Sequence, residues 1–187
     1  MVQQFNFEKT HIEGLILVSP FYSEDERGFF MKSYEKGIYE KNGIFLNDTE
    51  DFSSKSNKGV LRGLHFQTKN SQDKLVSVVA GEVWDVVVDL RCGSDTFGKW
   101  QGFYLSEKNH FSLYIPKQFA HGFLALEDNT IITYKCGDFY DKETDTGIMW
   151  NDPDINIKWP LEKIDKLIIS DRDWKHQSFA EFKGKML

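Results

Sequence analysis

Five histidines, His11, His65, His110, His121 and His176, are the side chains of this sequence best suited to move protons near neutral pH. Only His65 and His121 lie inside strongly apolar segments. His65 stands in Val60-Leu61-Arg62-Gly63-Leu64-His65-Phe66-Gln67. In a regular strand Arg62 and His65 point to opposite faces, because side chains alternate with period two. Gly63 between them permits a bulge that brings both to one cavity. The competing reading, of equal weight, is a hydrogen-bonded core histidine beside a solvent-facing arginine. His121, in Pro116-Lys117-Gln118-Phe119-Ala120-His121-Gly122-Phe123, follows a proline turn and enters a strand, a setting in which histidine is more often structural. A metal centre needs three or four converging ligands, commonly with a His-x-His pair on one strand face, and the sequence has no such pair. It also lacks Gly-x-Ser-x-Gly, a cysteine in an activating context, and the glycine-rich phosphate loops of Walker or Rossmann type. A metal-free site is therefore expected, with acid–base chemistry by His65 and a partner as the leading reading.

The elements that must position these groups read as strands. Short apolar runs rich in Val, Ile, Phe and Tyr are separated by Gly, Asn, Asp and Ser, the punctuation of an all-β domain. Candidate strands cover residues 15–18, 28–33, 60–66, 74–80, 82–90, 100–105, 111–115, 121–125 and 131–137, enough for a sandwich or barrel. Residues 34–42 and 178–185 read as short helices. The strongest hairpin signal is Ala80-Gly81, which breaks two runs that are apolar at nearly every position, the pattern of strands covered on both faces. Within the second run Val83, Asp85, Val87, Asp89 and Arg91 share one face, and carboxylates in such surroundings are costly unless paired. The stretch after Asn151 carries Pro153 and Pro160 and little strand pattern, so it is expected to wrap over the barrel.

The 187 residues suit one domain, with 23 Lys and Arg against 29 Asp and Glu for a formal charge of −6. That balance, without a basic stripe, argues against nucleic acid as a partner. No apolar stretch approaches the roughly 18 residues of a membrane helix, and the N-terminus has no signal-peptide pattern, so a cytoplasmic protein with no membrane association is expected. Two cysteines, Cys92 and Cys136, are too few for a disulfide framework.

Five ordered motifs carry a resemblance. They are Asp25-Glu26-Arg27-Gly28-Phe29-Phe30, Gly59-Val60-Leu61-Arg62-Gly63-Leu64-His65-Phe66-Gln67, Gly81-Glu82-Val83-Trp84-Asp85-Val86-Val87-Val88-Asp89-Leu90-Arg91, Thr96-Phe97-Gly98-Lys99-Trp100 and Ile115-Pro116-Lys117-Gln118-Phe119-Ala120-His121-Gly122-Phe123. Together, over about residues 14–173, they resemble the dTDP-4-dehydrorhamnose 3,5-epimerase family of sugar-nucleotide epimerases. The resemblance implies a cupin-type jelly-roll barrel with a few short helices, a homodimer, a nucleotide-diphospho-keto-sugar substrate and catalysis without cofactor. It implies His65 as the base, Asp173 as the carboxylate that orients it, with Asp171 two residues away as rival, Lys74 as the stabiliser of the enolate oxygen and Tyr134 as the opposing acid. It further implies Arg27 and Arg62 at the diphosphate and sugar, His121 in the cavity wall, and Tyr140 and Trp150 near sugar and base. Lys32, Glu50 and Phe52 occupy substrate-contact positions where the family usually carries other residues. The same fold also accommodates a single-centre 3- or 5-epimerase, a 3,4-ketoisomerase on another dTDP-, CDP- or GDP-linked keto-sugar, a metal-dependent isomerase, or a non-catalytic sugar-nucleotide-binding cupin.

Overall fold

The computed structural model describes residues 2–47 and 49–185. Two six-stranded sheets face one another, and a third, three-stranded sheet stands apart from them. The first large sheet runs β10 (Trp100–Ser106), β9 (Glu82–Asp89), β12 (Phe119–Ala125), β7 (Val60–Gln67) and β14 (Asp145–Gly147), with β15 (Ile168–Ile169) added parallel to β7. The second runs β2 (Asn6–Lys9), β3 (Ile16–Ser19), β11 (Ser112–Ile115), β8 (Lys74–Ala80), β13 (Thr130–Cys136) and β6 (Glu50–Ser56). The small sheet is β1 (Val2–Gln3), β4 (Phe21–Asp25) and β5 (Gly28–Lys32). Two short helices, α1 (Lys36–Lys41) and α2 (Phe179–Gly184), complete a jelly roll of cupin type.

The two large sheets are apolar on both sides, for an identifiable reason. Val83 and Val87 of β9 turn into the barrel with Val76, Leu105, Phe123 and Ile132. Their neighbours Val86 and Val88 turn outward against Trp159, Ile155 and Phe179 of the C-terminal stretch. Burying both faces removes apolar area from water on each, so alternation disappears from the sequence. The C-terminal stretch wraps the barrel as expected. The outer face of the second sheet is covered by Tyr39, Ile44 and Leu46, from α1 and the segment after it.

One expectation is overturned. β8 and β9 do not pair as a hairpin across Ala80-Gly81; β8 pairs with β11 and β13, whereas β9 pairs with β10 and β12. The chain crosses from one sheet to the other at Gly81, whose φ of +74° and close approach to Thr130 leave no room for a side chain. Of the paired charges expected on β9, Asp89 accepts hydrogen bonds from Arg91 Nε at 2.9 Å, Ser94 Oγ at 2.7 Å and Thr96 Oγ1 at 2.6 Å. Burial works against that carboxylate, yet these donors hold its pKa down at about 2.

Candidate active site

The site begins with the irregularity in β7. Opposite β12, His65 pairs with His121 and Arg62 with Phe123, so Gly63 and Leu64 of β7 are matched to the single Gly122 of β12. The extra residue is a bulge, and it places Arg62 and His65 on the same face. Gly63 makes it possible: its φ is +130°, and a Cβ there would lie 2.5 Å from Gly122 Cα.

The His65 ring is held from the C-terminal stretch. Its Nε2–H donates to Asp173 Oδ1 at 2.8 Å, since a carboxylate only accepts, and this leaves Nδ1 as the basic nitrogen. Asp173, on a single helical turn (Asp173–Lys175), also accepts from the Gly63 backbone N–H at 3.1 Å through Oδ2. Asp171 is exposed and takes no part. Burial alone would raise the Asp173 carboxyl, but the His176 and His65 rings and the Gly63 N–H hold it far below the carboxylate range. The His65 pKa is lowered, mainly by burial, with Asp173 opposing. A neutral imidazole tied to an ionised carboxylate is the state a general base needs.

His65 lines a cleft of about 340 Å³ with Glu50, Phe52, Lys74, Tyr140, Gln67, Gln72, Asp145 and Arg172. Lys74 opens β8, and burial lowers its pKa against the pull of Cys136, Asp145 and Asp85. The cleft walls are braced. Glu50 Oε1 accepts from Tyr140 N at 3.0 Å, and Asp145 Oδ2 accepts from Tyr140 Oη at 2.9 Å and Arg172 Nη2 at 2.6 Å.

Tyr134 and His121 belong to the barrel interior beside this cleft. Phe52 stacks on Tyr134 at 4.6 Å between ring centroids, and the His121 ring meets Tyr134 edge-on at 6.1 Å. His121 Nε2–H donates to the buried Asp85 at 2.8 Å, which pairs that carboxylate. Burial raises the Tyr134 phenol, the Asp85 charge adds to this, and Ser54 and Arg62 oppose it, so the group stays protonated. Arg62 reaches Ser56 Oγ at 3.2 Å on β6.

Three expected site residues lie elsewhere. Arg27 and Lys32 ride on the β4–β5 hairpin of the small sheet, where Arg27 pairs with Asp25 and Lys32 with Glu35 at 2.7 Å. Trp150 packs into the outer apolar layer with Ile155 and Trp159, and its carbonyl accepts from Trp159 Nε1 at 2.8 Å. An aromatic in the wrapping segment serves the core of that layer, which motif position does not reveal. Conversely, Gln67, Gln72, Asp145, Arg172 and His176 enter the site without a sequence signal of their own. His176 Nε2 lies 3.3 Å from Asp173 Oδ1.

A jelly-roll barrel that holds a His–carboxylate pair and a lysine in one cleft is the class of site suited to acid–base chemistry beside a carbonyl. The comparisons narrow this. The family model for dTDP-4-dehydrorhamnose 3,5-epimerase matches residues 9–181, and the chain belongs to that family. It is 51% identical over 174 residues to the dTDP-4-dehydrorhamnose 3,5-epimerase of Methanothermobacter thermautotrophicus, covering 92% of this chain and 94% of that one. The Shigella flexneri enzyme of the same name is 45% identical over 178 residues, covering 94% and 97%. The crystal structure of the Legionella pneumophila dTDP-6-deoxy-D-glucose-3,5-epimerase, in complex with dTDP-4-keto-L-rhamnose, superposes with a TM-score of 0.93. It is 42% identical, with 98% of this chain and 97% of that chain covered. No helix among the described residues is long and apolar enough to cross a membrane.

Proposed function

We propose that this chain inverts C3 and C5 of dTDP-4-dehydro-6-deoxy-D-glucose to give dTDP-4-dehydro-L-rhamnose. The observation that carries the reading is the 2.8 Å bond from His65 Nε2 to Asp173 in a cleft that also holds Lys74. The C4 ketone acidifies the C–H bonds on either side of it. His65 Nδ1 takes the proton, and the electron pair moves to the C4 oxygen, where the Lys74 ammonium stabilises the enolate. Asp173 holds the required tautomer and stabilises the imidazolium. Tyr134 then protonates the carbon from the opposite face, the pair returns from the enolate, and solvent restores both groups. Its raised pKa keeps the proton on the phenol until the carbanion forms beside it.

Glu50, Phe52, Tyr140 and His121 form the substrate walls in this reading, and Arg62 supplies a guanidinium fork for anionic oxygens at the bulge. Arg27 and Lys32 fit substrate contacts through a homodimer, in which the small sheet of one protomer meets its partner. Phe29 and Phe30 on that hairpin, 59% and 61% exposed, support an interface there. Cys92 and Cys136 are unpaired, which suits the reducing cytoplasm.

The test is proton NMR of the keto-sugar nucleotide with the enzyme in D₂O, following C3 and C5 separately, with the L-sugar trapped by a downstream reductase. Exchange and inversion at both carbons are expected. Exchange at one carbon alone would make the protein a single-centre epimerase, and tight binding without exchange would make it a non-catalytic binder.

A further inference from the structure

Phe52 is an anomaly in its strand. β6 reads Glu50-Asp51-Phe52-Ser53-Ser54-Lys55-Ser56, a polar edge strand with one large aromatic, and that aromatic is 47% exposed. A half-exposed phenylalanine on a polar edge strand matters for what it faces across the ladder and in the cleft. Two contacts define this. Phe52 lines the cleft beside His65 and Lys74, and it stands directly across the β6–β13 ladder from Tyr134. The two rings are stacked with 15° between their planes. The His121 ring also abuts Tyr134, edge-on at 72°, and His121 is itself anchored to Asp85. The phenol thus touches one ring fixed by a buried hydrogen bond and one ring that lines the cleft.

We propose that Phe52 is a positioning residue for Tyr134, one that sets the fate of the enolate; the inference rests on the epimerase reading above. Once His65 has taken the proton, the enolate has two outcomes. Return of a proton from the His65 face restores the starting configuration, whereas transfer of the Tyr134 O–H proton to the opposite face inverts it. In both, the enolate's C=C pair takes the proton to form the C–H bond, and a pair on the C4 oxygen re-forms the ketone. A phenol clamped by its stacked neighbour keeps its O–H aimed at that carbon and favours inversion. Without the ring, Tyr134 explores other rotamers and water enters beside it, so return from the His65 face gains.

The experiment measures, in D₂O, the deuterium incorporated into recovered starting sugar relative to inverted product, for wild type, Phe52→Leu and Phe52→Tyr. Leucine keeps the apolar lining and removes the stack; tyrosine keeps the stack. Phe52→Leu should raise the ratio about three- to tenfold at C3, C5 or both, the range that loss of one aromatic pair commands, and the ratio reads this separately from any change in KM that the altered wall brings. Phe52→Tyr should stay within about twofold of wild type on the same grounds. A Phe52→Leu enzyme that turns over more slowly with an unchanged ratio, or that matches wild type throughout, would overturn the proposal while leaving the epimerase reading standing. Wild-type enzyme that exchanges neither carbon would overturn that reading, and this inference with it.

Discussion

Replacing Asp173 by asparagine isolates the carboxylate from the geometry around it. Asp173 is 3% exposed, with Oδ1 accepting from His65 and Oδ2 from the Gly63 N–H, so both of its partners are donors. An amide has one acceptor and one donor end. If its oxygen stays with Gly63, the amide N–H₂ faces His65 Nε2, which must then accept; the ring proton moves to Nδ1 and the base is lost. If the amide is turned around, His65 keeps its tautomer but the Gly63 N–H faces a donor, a buried unsatisfied group that costs about 1–3 kcal/mol. In that orientation the charge is still gone, and a hydrogen bond to a charged group contributes about 1.5–3 kcal/mol, or roughly 10- to 150-fold in rate at 1.36 kcal/mol per decade. The lost tautomer extends the range, as in other His–Asp pairs where the same substitution costs about 10⁴-fold. The variant should therefore lose about 10²- to 10⁴-fold in kcat with KM little changed. Its Tm should fall by a few degrees, at about 2–4 °C per kcal/mol for a chain of this size. Steady-state turnover coupled to a reductase, with a thermal melt alongside, reads both quantities. A kcat within about threefold of wild type would refute the dyad reasoning, because neither amide orientation preserves a charged, correctly tautomerised base.

The pH profile follows from the lowered His65 pKa. The base works when neutral, so activity is present above the folded-state pKa and lost as pH falls through it; the acid limb of kcat/KM should lie below the ordinary histidine value of about 6.5. An acid limb above that value would contradict burial as the dominant influence. Gly63→Ala forces a side chain into a φ of +130° and brings Cβ to 2.5 Å from Gly122 Cα and 3.0 Å from His121 O, both backbone atoms that cannot yield. Strain and overpacking together should cost about 2–6 kcal/mol, visible as a denaturation midpoint well below wild type; an unchanged midpoint would mean that the bulge tolerates a side chain.

The residues of this sequence determined a good deal by themselves. Runs such as Val83–Leu90 are apolar at both parities because both faces are buried, and that is legible without coordinates. The Gly63 bulge was likewise readable, since a strand glycine between an arginine and a histidine three apart is the local means of turning both one way. The edge strands β2 and β6 are not legible in the sequence, because edge strands carry little apolar alternation. Tertiary structure alone decided what depends on distant partners. The apolar runs on either side of Gly81 look like a hairpin, yet they join different sheets, because strand pairing is chosen by contacts across the whole chain. Asp173 and Asp171 are equivalent in local sequence, and only the turn that buries one against His65, 108 residues away, separates them. Arg172, Asp145 and His176 likewise acquire their place from packing. Trp150 went to the outer apolar layer because the wrapping segment must bury its own aromatic side chains somewhere, and the barrel's outer face is where it lies.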